Sequence, residues 1–295
     1  MNREDFRFRS EADGLEVACY YWPAQGNAAG IVQIAHGMGE HSLRYAAFAE
    51  FLNAAGFCVY ANDHRGHGRT ASKPELLGDF GTAGWDGLVA DMAQLTRYAH
   101  AAGPVLPIVL LGHSMGSFAA QQYLLDHSGL IAGAIISGSA SLDRLGELDA
   151  LPEDSSKPAD LSALNRGFEP ARTAFDWLSR DSAEVDKYVA DPLCGFGVNA
   201  QARASMGKGG ARTIDPIQIA RIRKTLPIYI FAGDKDPVNH HLEWLRPLAA
   251  RYRAAGIKDV SEKFYKDGRH EMLNETNRAE VMNDILVWVR HAIRP

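Results

Sequence analysis

An α/β architecture is expected for this chain: a mostly parallel central sheet flanked by helices, with a helical cap inserted into it. Short apolar runs alternate with segments of helical spacing along most of the sequence. Those runs lack polar alternation, so both faces of the sheet should be covered, as in parallel sheets. One stretch, from about Ser141 to Arg223, interrupts the alternation and carries no strand pattern. The third mark is Gly112-His113-Ser114-Met115-Gly116, a serine between two glycines where an apolar run meets a helical one.

In chain order, Phe6–Ser10 and Leu15–Trp22 read as antiparallel strands around a Glu11-Ala12-Asp13-Gly14 turn. Ile31–Ala35 is a short apolar strand. Ser42–Ala55 has helical spacing, and Gly56 stands where a helix C-terminus calls for glycine. Phe57–Ala61 is the next strand and Trp85–Ala102 the next helix. Val105–Leu111 reads as a buried strand, with the helix Ser117–Leu125 after the serine turn. Ala132–Ser137, Pro227–Ala232 and Val260–Tyr265 are further strands, and His241–Ala255 and Glu280–Ile293 the last helices. Inside the interruption, Asp143–Pro158 is rich in Asp, Glu, Ser and Pro and reads as an exposed linker. Helix-like pieces follow near Ala159–Leu164, Thr173–Leu178 and Ser182–Val189, with Phe168, Phe175, Trp177, Leu193, Phe196 and Met206 in and around them. The expected division is a core of residues 1–140 and 224–295 and a cap of residues 141–223, because loops this long usually form lids or binding elements.

With 295 residues, 46% apolar and 23% charged, the chain can bury a large core. A formal net charge of −5 gives no electrostatic footprint for nucleic acid. No stretch approaches the roughly 18 uncharged apolar residues of a membrane span, and the charged N-terminus does not read as a secretory signal. Cys19, Cys58 and Cys194 are far apart, with no disulfide or metal-ligand spacing, so a reducing cytoplasm is expected. Cys19 and Cys58, in apolar runs, read as small core residues.

The chemistry centres on Ser114. A serine hydroxyl is a poor nucleophile near neutral pH and needs a base, which in turn needs an orienting partner. His270 follows the last strand, and loops leaving the carboxyl ends of parallel strands converge on one face, the face that displays Ser114. The orienting acid should come from the loop after the preceding strand, which offers Asp234 and Asp236. Asp236 is favoured because it lies further from the strand end and Pro237 fixes the chain beyond it; Asp234 reads as a turn cap. The oxyanion donors expected are the amides of Met115, at an unpaired helix start, and of Met38, between Gly37 and Gly39. His36, Glu40 and His41 are read as holding that loop. His64 and His67 lack a paired acid on a helical face, so no metal is expected; Asp63 and Arg65 should form a network that shapes their loop.

Together, His36-Gly37-Met38-Gly39-Glu40-His41 with Arg44-Tyr45, Asp63-His64-Arg65-Gly66-His67-Gly68, the Ser114 pentapeptide, Gly233-Asp234-Lys235-Asp236 and Gly268-Arg269-His270-Glu271 occur in order. The set resembles the monoacylglycerol lipase and lysophospholipase branch of the α/β-hydrolase superfamily, often labelled serine aminopeptidase S33-like, over about residues 15–150 and 225–293. Thr70 stands where that pattern has serine. The resemblance implies the α/β-hydrolase fold, Ser114 as nucleophile, Asp236 as acid, His270 as base, Met38 and Met115 as oxyanion donors, and no cofactor. It implies hydrolysis of a small-molecule ester or single-chain lipid, with an aminopeptidase or amidase as the alternative. Phe168, Phe175, Trp177, Leu193 and Phe196 are expected to face the pocket above Ser114 or a lipid surface, with Phe168, Phe175 and Phe196 binding the acyl chain and the cap meeting a membrane surface transiently.

Overall fold

The computed structural model describes every residue except Met1, Asn2, Pro104, Val105, Asp149, Glu153 and Pro295. Among the described residues eight strands form one sheet: β1 Glu4–Arg9, β2 Glu16–Trp22, β3 Gly30–Ala35, β4 Phe57–Asn62, β5 Ile108–His113, β6 Gly133–Ser137, β7 Ile228–Gly233 and β8 Val260–Tyr265. Their spatial order is β1-β2-β4-β3-β5-β6-β7-β8. β1 pairs β2 and β2 pairs β4 antiparallel, and the remaining pairs are parallel. The register sets Ala35 opposite Gly112, and His113 opposite Ser137. The loops that follow these strands therefore open along one edge.

The helices are α1 Ala46–Ala54, α2 Gly84–Ala101, α3 Met115–His127, α4 Ser182–Ala190, α5 Ala200–Arg212, α6 Pro216–Ile219, α7 Arg246–Ala254 and α8 Arg278–Ala292. They make two buried layers. Leu110 and Ile136 point to a layer with Leu88, Met92 and Tyr123 of α2 and α3. Their neighbours Leu111 and Ile135 point to Phe48, Leu52, Ile285 and Val289 of α1 and α8. Residues of opposite parity on one strand are thus both buried, which explains the unbroken apolar runs. Gln33 is the polar exception in β3. Its Nε2 donates to the Met92 carbonyl (2.9 Å) and its Oε1 accepts from Thr96 Oγ1 (2.7 Å), so burial leaves neither end unpaired.

Several boundaries differ from expectation. The segment Ser42–Ala55 splits into a 3₁₀ turn, Ser42–Tyr45, and α1. The strand before the serine turn begins at Ile108, and Val105 lies outside the described residues. The helix expected from His241 begins only at Arg246. His240, His241 and Leu242 instead adopt φ values of 50, 55 and 76°. There the Asn239 side chain accepts from the Leu242 amide (2.7 Å) and the Asp236 carbonyl from the His241 amide (3.1 Å). Those bonds curl the chain tightly after Asp236 and delay the helix.

Residues 141–223 contain no strand among the described residues. Of the expected pieces, the first is a 3₁₀ turn at Leu161–Asn165, the second shrinks to Asp176–Leu178, and the third is α4. Part of the expected linker is the 3₁₀ segment Leu142–Glu147; Asp149 and Glu153 of that linker lie outside the described residues. α5 was not anticipated, because Gly207, Gly209 and Gly210 depress its helical propensity. Its one signal is Asn199, whose side chain caps the first turn by accepting from the Ala202 amide (2.8 Å).

The serine turn depends on close backbone approach. A Cβ at Gly116 would lie 2.1 Å from the Ala35 carbonyl oxygen, and one at Gly112 would lie 2.5 Å from that of Gly116. Gly129 has no atom within 4 Å of the same position. Gly116→Ala should therefore cost about 3 kcal/mol, and Gly129→Ala close to nothing, in urea unfolding. Equal midpoints for the two variants would contradict the close approach.

Candidate active site

Ser114 ends β5 and precedes α3 with φ 51° and ψ −122°, a left-handed conformation that non-glycine residues rarely adopt. The turn is closed on both sides. The Ser114 amide donates to the Ser137 carbonyl (2.9 Å), and the Ser114 carbonyl accepts from the amides of Ser117 (2.8 Å) and Phe118 (3.1 Å). A constrained backbone of this kind holds its side chain above the sheet edge.

His270 and Asp236 arrive from the loops after β8 and β7. Nδ1 of His270 lies 2.9 Å from Oδ1 of Asp236, and both residues are buried. An ionised carboxylate only accepts, so Nδ1 carries the proton and Nε2 is the basic nitrogen. Asp236 is itself fixed, accepting from the Val238 amide (2.9 Å) and from Asn239 Nδ2 (3.0 Å). Asp234 does not reach His270; it accepts from the Asp267 amide (2.8 Å) and caps that turn. Burial alone would push the pKa of His270 down, but the Asp236 carboxylate, aided by Glu271 and Glu40, lifts it above 6.5.

The loop after β3 is held from both ends. His36 Nε2 accepts from the His64 amide (2.9 Å), which leaves the proton on Nδ1 to donate to the Gly37 carbonyl (2.8 Å). Burial pushes the pKa of His36 down to about 4, so this neutral form persists. Glu40 accepts from the Gly37 amide (2.5 Å), the Tyr45 hydroxyl (2.8 Å) and Arg44 (2.7 Å). Arg44 in turn grips Glu271 with two nitrogens (2.5 and 2.6 Å). Burial would raise the pKa of Glu271, but Arg44 overcomes it and holds the carboxyl at about 2. Met38 and Met115 both border the cavity described next.

That cavity begins at Ser114 and His270 and runs under residues 141–223. Its apolar wall includes Leu142, Leu148, Leu161, Leu164, Trp177 and Met206. Trp177 packs on the His270 ring, centroids 4.9 Å apart. The backbone beside it is tied to the same loop, since the Glu271 amide donates to the Leu178 carbonyl (2.8 Å). The three phenylalanines expected at the cavity are elsewhere, and this corrects the sequence reading. Phe168 lies under the Arg269 guanidinium (4.7 Å), Phe175 packs on Tyr188 (5.1 Å) and Phe196 on His67 (5.0 Å). Size and hydrophobicity marked them, but in a segment of short turns no periodicity tells which side faces inward. Leucines of the supposed linker and of the 3₁₀ turns do that work.

His64 and His67 pack tilted against His36, with centroids 4.2 and 5.3 Å away, and burial holds His64 well below its usual range and His67 at about 3. Asp63 and Arg65 form two separate networks. Asp63 accepts from the Tyr20 hydroxyl and the amides of Ser42 and Arg69 (2.7, 2.9 and 2.7 Å). Arg65 pairs with Asp13 and Asp91 (2.6 and 2.7 Å). Thr70 uses its hydroxyl to join the Ala18 amide to the Asp63 carbonyl (2.9 and 2.7 Å). One group with metal-ligating atoms within 4.8 Å of one another occurs among the described residues: His41, Asp191 and Cys194. Burial pushes the Cys194 thiol up, and His41 already bonds Asp191 (2.9 Å), so the group reads as a tie between the two segments.

Residues 26–277 match the family model described as serine aminopeptidase, S33. The chain belongs to this family. It is 32% identical to the monoacylglycerol lipase of Mycolicibacterium smegmatis over 94% of this chain and 93% of that protein. It is 27% identical to the monoglyceride lipase of Homo sapiens over 97% and 90%. The solved structure of a highly thermostable carboxyl esterase from Bacillus coagulans, in complex with glycerol, matches with TM-score 0.86 and 30% identity over 100% of both chains. The fold is that of the α/β hydrolases. No helix among the described residues is long and apolar enough to cross a membrane.

The His270–Asp236 contact has a measurable consequence. The imidazole of His270 should titrate above 6.5 by NMR. In Asp236→Asn the raising influence is lost while burial remains, so the titration should fall below that of the parent protein. Asp234→Asn should leave it in place; the reverse pattern would exchange the two residues.

Proposed function

We propose that this chain is a serine hydrolase that cleaves carboxylic esters of single-chain lipids, of the monoacylglycerol or lysophospholipid type, through an acyl-enzyme on Ser114. The observation that carries the reading is an apolar cavity that starts at Ser114 and His270, the latter hydrogen-bonded to buried Asp236. The names of the relatives, monoacylglycerol and monoglyceride lipases, support it.

In the first step Ser114 Oγ attacks the ester carbonyl carbon while His270 Nε2 takes the hydroxyl proton. Asp236 stabilises the resulting imidazolium. The carbonyl oxygen becomes an oxyanion and accepts from the Met38 and Met115 amides. The intermediate collapses, the C–O bond to the alcohol breaks, and the alcohol oxygen takes the proton from His270. Water then repeats the sequence on the acyl-enzyme, giving the fatty acid and free Ser114. No cofactor enters any step. Residues 141–223 act as the cap over the acyl chain. Val189 and Ile217 of that segment, 51% and 76% exposed, are the points proposed for transient contact with a lipid surface. A cytoplasmic location belongs to the same proposal, supported by three unpaired cysteines.

The aminopeptidase reading is weaker. A substrate ammonium needs an unpaired carboxylate near the serine, and among the described residues the two acids at the cavity, Glu40 and Glu271, are engaged by Arg44. Esters of p-nitrophenol should accordingly be turned over far faster than aminoacyl anilides. Ser114→Ala should lower ester turnover by on the order of 10³ or more and abolish labelling by a fluorophosphonate. Labelling that persists in Ser114→Ala would defeat the assignment. Because a protonated His270 cannot act as base, kcat/KM should fall as pH drops through the raised pKa, with the acid limb centred above 6.5.

A further inference from the structure

α5 turns a single stripe toward the cavity: Arg203, Met206, Gly207 and Gly210, spaced at i, i+3, i+4 and i+7. Two of these four residues have no side chain. A glycine inside a helix is destabilising relative to alanine, so two in one stripe call for a reason. Gly209, between them, has one: a Cβ there would lie 2.2 Å from Trp85 and 2.3 Å from Gln122, where α5 packs on α2 and α3. Gly207 and Gly210 do not share it. A Cβ at Gly207 would meet nothing within 4 Å, and one at Gly210 only Leu142 at 3.5 Å, an ordinary contact. Neither takes a left-handed backbone conformation. Packing therefore tolerates a side chain at both positions, and the space left by the missing ones opens into the cavity.

The helix is held in place around that space. Arg203 donates to the carbonyls of Ser155 (2.5 Å) and Lys157 (2.8 Å), anchoring the outer rim of α5 to the neighbouring segment. Gly209 fixes the opposite side.

We propose that Gly207 and Gly210 are the specificity-determining positions of the cavity, keeping its α5 wall open for long-chain acyl groups. This rests on the reading of Ser114 as the nucleophile of an ester hydrolase. It adds which acyl groups are taken and which residues decide it. Larger side chains at either position would occupy the groove and exclude the far end of the acyl group while leaving its carbonyl at Ser114.

The test compares p-nitrophenyl butyrate, laurate and palmitate with the parent protein and with Gly207→Leu, Gly210→Leu and the two alanine variants. In each leucine variant the ratio of kcat/KM for palmitate to that for butyrate should fall by on the order of tenfold or more, the effect of denying apolar contact to about two methylenes. The alanine variants should change that ratio much less and raise Tm by roughly 2–4 °C each, because a helix-interior glycine is removed without a clash. Gly207→Leu, at the exposed rim, carries the comparison if Gly210→Leu does not fold. An unchanged ratio in a folded leucine variant overturns the inference and leaves ester hydrolysis standing. A lower Tm in both alanine variants also overturns it, by showing that packing requires the glycines. Absence of any ester turnover in the parent protein would instead defeat the reading of the Ser114 site, whatever the Tm values.

Discussion

The Arg44 guanidinium lies between two carboxylates that belong to different loops. Glu40 sits at the end of the turn that carries Met38, and Glu271 directly follows His270. The side chains are only 11%, 4% and 7% exposed. Charges this deeply placed are tolerated only in good geometry, and removing one partner from a buried pair typically costs about 3–5 kcal/mol. Arg44 has two partners and also lies over the Tyr188 ring (4.7 Å), which comes from α4. One cation thus fixes the spacing of the loop after β3, the loop after β8 and the base of the inserted segment. The arrangement carries two negative charges against one positive, and the excess acts on His270 in the same direction as Asp236. Arg44 therefore holds the loop that carries Met38 and, through Glu271, the loop that carries His270.

The inserted segment is bound to that frame at several points. The Gly195 amide donates to the Gly39 carbonyl (3.0 Å), and a Cβ at Gly39 would lie 2.5 Å from the Phe196 carbonyl oxygen. Gly39 has φ 64°, so glycine is required there by conformation as well as by contact. On the other side, Arg269 reaches the carbonyls of Asp176 and Ser179, and Arg180 pairs with Glu275 (2.8 Å). The 3₁₀ turn that presents Trp177 is in this way part of the same rigid edge as His270.

What could be read from the sequence follows from how local each signal is. Buried strands and the serine turn are local: apolar runs and closely spaced glycines report directly on a two-faced sheet and a tight βα turn. Topology then supplied the rest, since parallel strands deliver the loops after β5, β7 and β8 to one edge, where the structure brings Ser114, His270 and Asp236 together. The inserted segment has no such rule. Its cavity face is made of leucines in one-turn elements, and Phe168, Phe175 and Phe196 spend their surface on Arg269, Tyr188 and His67. α5 was hidden by its own glycines, the residues that shape the cavity wall. Glu271, the second partner of Arg44, lies 227 residues away, a distance at which no sequence period speaks.

The site also separates its charges from its apolar surface. Glu40, Arg44, Glu271, Asp236 and His270 lie on the loops at the sheet edge, where each finds a partner. The wall contributed by residues 141–223 is mostly apolar, six leucines with Trp177 and Met206 among them, and its charged member, Arg203, is bonded to the Ser155 and Lys157 carbonyls. An ester of a single-chain lipid has the same division: a polar carbonyl and alcohol at one end, a hydrocarbon at the other. Burial of the hydrocarbon strengthens with each methylene, by about 0.8 kcal/mol, but acts alike on ground and transition states once the chain is seated. It places the carbonyl without itself accelerating the chemistry. On the proposed mechanism acceleration comes from the polar end, where the Asp236–His270 pair is already fixed and need not reorganise as charge develops. On this reading the contacts around Arg44 and the groove proposed along α5 serve different terms of the reaction, and a change in one need not be felt in the other.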